Sequence, residues 1–261
     1  MHPSANRQPT PPAAAPTVSV VIPARYASTR LPGKPLADIC GRTMIERVYR
    51  QASAARGVAE VIVATDDERI LEAVRAFGGK AVLTNPAHAS GTDRIAEAAR
   101  DLRTDLIVNV QGDEPFLPPA AIEQAAGPFA SDPSLVMGTL GAPLDEQEDP
   151  GNPHVVKVLV DRAGFALYFS RAAVPYRRQP IPADGSVLRH VGLYVYRRAF
   201  LLTLAGLPRT PLETAESLEQ LRALEHGYRI RVVTTEAASM AIDTAEDLER
   251  ARRMAADGRL A

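Results

Sequence analysis

Val18-Ser19-Val20-Val21-Ile22-Pro23-Ala24-Arg25-Tyr26-Ala27-Ser28-Thr29-Arg30-Leu31-Pro32-Gly33-Lys34-Pro35 decides how this chain is read. An apolar run of strand length stops at Pro23, and a loop with two arginines, two hydroxyls, a glycine and a lysine follows. Backbone N–H groups of such a loop can converge on phosphate oxygens, Gly33 lets the main chain come close, and Arg25, Arg30 and Lys34 supply countercharge. Polyphosphate is the guest this chemistry suits, although a solvated basic surface loop has the same composition. No GxxxxGK[ST] and no GxGxxG follows the strand, so neither a Walker loop nor a dinucleotide fingerprint is present.

Working outward, 261 residues suit one large α/β domain or two small ones. Lys plus Arg (30) nearly balance Asp plus Glu (31), a net charge of −1. That balance gives no case for nucleic-acid or membrane binding, so the cationic loop calls for a local anion. Cys40 is the single cysteine, which excludes an intrachain disulfide and a cysteine-based zinc ribbon and fits a small residue beside the Gly41 turn. No apolar run approaches the ~18 residues of a membrane span. Residues 1–17, with Pro3, Pro9, Pro11, Pro12 and Pro16, read as a disordered Pro/Ala-rich extension without the apolar core of a secretory signal; residues 18–261 read as one domain.

Helical spacing of Ile45, Val48, Tyr49 and Ala52, then the strand Val61–Val63, completes a βαβ unit after the loop. A helix over Glu68–Phe77, a short strand at Ala81–Leu83, a helix from Ser90 to about Leu102 and the apolar strand Leu106–Val110 continue the alternation. An α/β fold with a mostly parallel sheet and helices on both faces is expected. Val155–Val160 and Phe165–Phe169 flank a tight turn, a hairpin, so a smaller, partly antiparallel second layer is expected there. Thr214–Glu225 reads as one amphipathic helix with Leu218, Leu221 and Leu224 inward.

Ligands in open α/β sheets sit outside the carboxyl ends of the strands, where Gln111-Gly112-Asp113-Glu114-Pro115 would meet the basic loop. Asp113 there is a candidate metal ligand, and a plain Asp–Gly surface turn reads the same way. Ser90 and Gly91 open a helix that could receive a polar ligand or simply be capped. Thr244 reads as an N-cap with acidic residues behind it, which places Asp243 at another strand–helix mouth. His190 at a strand start, and Glu219 and Gln220 on a helix, are by residue type as compatible with solvated surface as with binding.

As strings, PARYASTRLPGKPL, ATDDE, SGTDR, VNVQGDEP, ALYFSR, RHVGLY, LEQLR and IDTAEDL resemble the sugar-activating cytidylyltransferases, most closely the 3-deoxy-manno-octulosonate (Kdo) cytidylyltransferase, or CMP-Kdo synthetase, family. The resemblance covers Val18 to about Arg253. It implies a nucleotide-diphospho-sugar transferase-like fold whose second layer serves sugar binding and dimerisation. It also implies a cytoplasmic homodimer that uses Mg²⁺ to transfer CMP from CTP to Kdo for lipopolysaccharide biosynthesis. Matched residue by residue, Pro23, Ala24, Arg25, Arg30, Lys34, Ser90, Gly91 and Gln111 would bind CTP. Gln111, Arg171, His190, Tyr194, Glu219 and Gln220 would bind the sugar acid. Asp113 and Asp243 would hold the metal, with Arg30 and Lys34 completing the catalytic set. Two departures stand out: Ser239-Met240-Ala241-Ile242 replaces a glycine-rich approach to Asp243, and Arg177–Val187 is short. A cytidylyltransferase for 8-amino-Kdo, sialic acid or another acceptor is the alternative enzyme. A non-catalytic nucleotide-binding protein would have lost Lys34 or one of the aspartates, and all three are present.

Overall fold

The computed structural model describes residues 15–27, 31–88, 90–144, 149–176, 178–179, 187–237 and 240–257. Most of the N-terminal extension, Arg30, Ser239 and most of the 177–187 segment therefore lie outside the described residues. The first half runs β1 (Val18–Ala24), the small hairpin β2 (Asp38–Ile39) and β3 (Arg42–Thr43), α1 (Met44–Ser53), β4 (Val58–Thr65), α2 (Glu68–Ala76), β5 (Lys80–Leu83), α3 (Gly91–Ala99) and β6 (Leu106–Asn109). Then come α4 (Pro119–Ala126), α5 (Pro128–Ser131), β7 (Met137–Pro143), β8 (Lys157–Val160), β9 (Ala166–Ser170) and β10 (Val187–Arg197). The chain closes with α6 (Arg198–Gly206), α7 (Pro211–Glu216), α8 (Gln220–Glu225), β11 (Ile230–Thr234) and α9 (Ala245–Ala256).

The sheet order is β11-β7-β10-β6-β1-β4-β5. β1 is parallel to both β4 and β6, as is β4 to β5 and β7 to β11, while β10 runs antiparallel to β6 and β7. Val20, Val21 and Ile22 are fully buried because helices cover both faces of this central strand. Val21 accepts from Val110 N–H on the β6 side. Pro23, two residues on, faces that same side beyond the end of β6 at Asn109, so its missing N–H orphans no carbonyl there. One core packs Ile45, Val48, Ile70, Val74 and Ile122 of α1, α2 and α4 on the sheet; the other packs Ile95, Ala99, Leu201 and Leu221 of α3, α6 and α8 on the opposite face.

The expected hairpin is present: β8 and β9 pair antiparallel, and β8 pairs with the first residues of β10. This antiparallel part is joined edge to edge with the main sheet through the long β10. The helix expected over Thr214–Glu225 is instead two short helices. Ser217, with φ +51°, turns the chain left-handed between α7 and α8. A buried Glu213–Arg222 ion pair (2.5 Å) ties the two helices together across the turn. No helix among the described residues is long and apolar enough to cross a membrane.

Candidate active site

Two strand ends and the segment leading into α9 build the site's rim. After β1, the loop closes on itself where Gly33 N–H donates to Tyr26 O (3.2 Å); Gly33 has φ +68°, and an added Cβ would press the Tyr26 ring at 3.2 Å. Lys34 follows, opening a single 3₁₀ turn over Lys34–Leu36. After β6, Gly112 lies so close to the β1 loop that a Cβ would sit 2.8 Å from Pro23 O. The third segment is bound to the second by one backbone bond, Ile242 N–H to Asp113 O (3.0 Å). Phe116, Ile242, Leu248 and Ala251 form a small core beneath it with Ile39 and Met44. Thr244 caps α9 in a reciprocal box with Asp247, as its sequence pattern predicts.

These contacts bring Lys34, Asp113 and Asp243 together, although Asp243 lies 209 positions from Lys34. The Lys34 ammonium donates to Asp113 Oδ2 at 2.6 Å and to Asp243 Oδ1 at 3.0 Å. Burial acts to lower the Lys34 pKa, but the two carboxylates outweigh it, so the ammonium holds its proton above the ordinary lysine range. Two carboxylates from separate elements thus converge on one cation while staying 29% and 37% exposed. Hard oxygen donors of this number suit Mg²⁺, which takes one or two carboxylates and fills its octahedron with water and phosphate oxygens. Among the described residues no group of three or more His, Cys, Asp or Glu gathers anywhere as a ready-made metal cage.

Beside this cluster opens a cleft of about 340 Å³. Its walls include Pro23, Arg25, Gly91, Gln111, His190, Tyr194, Glu219 and Gln220, all expected at the site from sequence. A second cleft of about 420 Å³, bounded by Glu114, Arg189, Ala241 and Arg250, shares His190 and Gly192 with the first and is lined by chain neighbours of both aspartates, Glu114 and Ala241. β10 makes this possible: because it runs antiparallel, with Tyr194 opposite Asn109, its earlier residues extend past the end of β6 and flank Gln111. Ala24 is buried under the loop; Ser90 caps α3 by accepting from Asp93 N–H at 3.1 Å. Neither lines the first cleft. Arg171 does not line it either, because its guanidinium donates to the Glu216 and Pro153 carbonyls at 2.8 and 2.9 Å.

Three groups in the cleft wall, His190, Tyr194 and Tyr196, are held neutral. Burial, with the nearby Arg189 charge, pushes the His190 pKa down to about 3. Thr139 Oγ1 gives its one proton to Leu193 O (2.7 Å), so it accepts from His190 Nε2 (2.9 Å); this assigns the Nε2–H tautomer and leaves Nδ1 an acceptor. Burial raises the Tyr194 and Tyr196 hydroxyls, so both stay protonated.

A family model described as Cytidylyltransferase matches residues 19–230. A 3-deoxy-manno-octulosonate cytidylyltransferase of Syntrophotalea carbinolica is 54% identical over 241 residues, 90% of this chain and 96% of that protein. The corresponding protein of Geobacter sulfurreducens is 51% identical over 242 residues, 89% of this chain and 97% of that one. A solved CMP:2-keto-3-deoxy-manno-octonic acid synthetase complexed with CTP superposes with a TM-score of 0.87 at 45% identity, covering 93% of this chain and 99% of the other.

The chain belongs to the cytidylyltransferase family.

For a cytidylyltransferase, several wall residues carry little signal in the sequence. Thr92, Asn109, Tyr196 and Ser217 line the cleft and were not expected there. Asn109 ends an apolar strand and is 2% exposed, a buried polar residue at a strand's carboxyl end, which is the one readable clue. Ser217 has none, since no glycine or proline announces its turn. Thr92 reaches the site through Glu219, whose carboxylate accepts from its amide at 3.2 Å and from its hydroxyl. Other motif residues of this cytidylyltransferase are structural: Arg94 of SGTDR is fully buried, donating to Asp66 of ATDDE at 2.6 Å and to Thr84.

Proposed function

We propose that this protein transfers CMP from CTP to 3-deoxy-manno-octulosonate, releasing pyrophosphate, as a cytoplasmic step towards lipopolysaccharide. The observation that carries the reading is that the Lys34–Asp113–Asp243 cluster and a cleft walled by Pro23, Arg25, Gln111, His190, Glu219 and Gln220 are both built on the same two loops after β1 and β6. Residues 18–261 act as one nucleotidyltransferase domain.

Within it, the β1 loop with Arg25, Arg30 and Lys34 binds the polyphosphate, and Pro23, Gly91 and Gln111 frame the nucleotide, with Ala24 beneath the loop and Ser90 holding Gly91 in place as the cap of α3. Gln111 Nε2 donates to Asn109 Oδ1 at 3.3 Å. Glu219 and Gln220, with Tyr194 and the acceptor nitrogen of His190, orient the hydroxyls of the sugar acid, while Arg171 acts from behind the wall by holding Glu216. The anomeric hydroxyl then attacks the α-phosphorus: one P–O bond forms to the sugar, the hydroxyl proton passes to solvent water, the bond to the bridging oxygen breaks, and pyrophosphate departs. Asp113 and Asp243 would hold Mg²⁺, which when bound offsets phosphate charge and acidifies the attacking hydroxyl. No side-chain nucleophile takes part.

The protein is a homodimer in this reading, with Leu167 and Tyr176, 63% and 89% exposed, as apolar side chains available to a second copy. Light scattering on the full chain checks it. Pyrophosphate release from each of CTP, UTP, ATP and GTP against a panel of sugar acids tests the activity. Preference for CTP with Kdo is expected; another pair giving faster turnover would replace the assignment.

A further inference from the structure

We infer that Glu216 is a positioning residue for the acceptor: its carboxylate is locked by β9 and thereby aims the left-handed turn that presents Glu219 and Gln220 to the cleft. This rests on the proposed role of those two residues. Glu216 ends α7, immediately before Ser217. Its Oε1 accepts from Ser170 Oγ at 2.6 Å and Tyr168 Oη at 3.4 Å, its Oε2 from Arg171 N–H at 2.9 Å, and its own carbonyl from Arg171 Nε at 2.8 Å. Four donors from Tyr168-Phe169-Ser170-Arg171 thus grip one residue. Burial works to raise the Glu216 pKa, but the Ser170 and Arg171 hydrogen bonds outweigh it, so the carboxylate stays ionised.

The grip is anchored from behind. Lys157, with no exposed surface, donates its ammonium to Arg171 O and Val155 O, both at 2.6 Å, and to Asn152 O at 3.3 Å. Three carbonyls take the three donors of this buried ammonium, which holds the chain at the end of β9 where it meets Glu216. On the far side of the turn, Leu218 N–H returns to Glu213 O (3.2 Å), and Glu213 is paired with Arg222. Between these anchors Ser217 adopts φ +51°, a conformation that a non-glycine residue holds only where its surroundings impose it. Ser217, Leu218, Glu219 and Gln220 all line the cleft. Among the described residues, the Glu216 set supplies the hydrogen bonds that join the turn to the β8–β9 hairpin. The ALYFSR motif therefore acts on the acceptor through Glu216.

The test is Glu216→Gln in the full chain, with KM measured separately for CTP and for the sugar acid and with amide exchange followed over 217–220. The amide keeps the shape but puts a donor opposite Arg171 N–H or Ser170 Oγ. Acceptor KM should rise about tenfold, the scale of one charge-assisted hydrogen bond, with CTP KM within about twofold and exchange over 217–220 faster. Ser170→Ala, which removes one donor, should shift acceptor KM in the same direction by about threefold and covers a Gln variant that fails to fold. Val74→Ala, in the core under α2, controls for lost stability and should leave the ratio of the two KM values unchanged. Equal rises in both KM values, no rise in either, or the same ratio change in Val74→Ala would overturn the inference. If Glu219→Gln leaves acceptor KM unaltered, the acceptor role of the turn is what fails, and the positioning role falls with it.

Discussion

Lys34→Met keeps the side chain's length and removes the cation that, among the described residues, bridges Asp113 and Asp243. Two charge-assisted contacts, at 2.6 and 3.0 Å, are lost and two carboxylates are left facing each other. Each such bond contributes roughly 1.5–3 kcal/mol when dry. Because the carboxylates are 29% and 37% exposed, water screens both, so the pair together is taken at about 2–3 kcal/mol. In a chain of this size each kcal/mol moves Tm by about 2–4 °C, so the variant should melt about 4–12 °C lower in EDTA. Millimolar Mg²⁺ should recover part of that loss in the variant and change the wild type little, because a divalent cation can take the place of the missing ammonium. Turnover should not recover: without the phosphate contact kcat/KM should fall by about two decades. Calorimetry with and without Mg²⁺ and a pyrophosphate-release assay read these outcomes. An unchanged Tm in EDTA would refute the shared-cation geometry, and wild-type kcat/KM would take Lys34 out of the active site.

Asp113→Asn and Asp243→Asn should each lower turnover by about two to three decades, with the double variant no worse than the poorer single one, since both act on one centre; steady-state rates across Mg²⁺ concentrations check this. Gly112→Ala should raise the CTP KM, because the new Cβ meets Pro23 O at 2.8 Å and separates the two loops. His190 is neutral in the folded protein with a pKa near 3 and near 6.5 when unfolded, so its contribution is complete above pH 6.5 and is lost as pH falls towards 3. Its cleft-facing edge admits water, so urea denaturation should give up to about 2 kcal/mol lost at pH 5, a slope that His190→Gln removes.

Most of the sheet could be read from local pattern. Val18–Ile22 and Leu106–Val108 are apolar runs because both faces are covered, and Thr43, Ser90 and Thr244 each cap the helix their spacing marks. The antiparallel insertion of β10 could not be read, since it pairs with β6 across 85 or more positions and with β7 across 45 or more, a long-range register for which a single strand carries no mark. The break at Ser217 was hidden for a related reason: Thr-Ala-Glu-Ser-Leu-Glu-Gln has helical composition, and contacts from β9 and the Glu213–Arg222 pair override it. Asp113 and Asp243 could be placed at strand ends from sequence, but the ammonium between them is a tertiary fact. Arg171 shows the opposite limit, a motif residue whose guanidinium is spent on carbonyls beside the site.

The most direct measurement is ³¹P NMR of the wild-type protein with CTP, Kdo and Mg²⁺, repeated with Asp113→Asn. In the wild type the three CTP resonances should give way to pyrophosphate and a single new phosphodiester in equal amounts, and the variant should leave CTP intact over the same period. Release of CDP and inorganic phosphate, no phosphodiester at all, or the same conversion by Asp113→Asn would contradict the assignment of CMP transfer to this site.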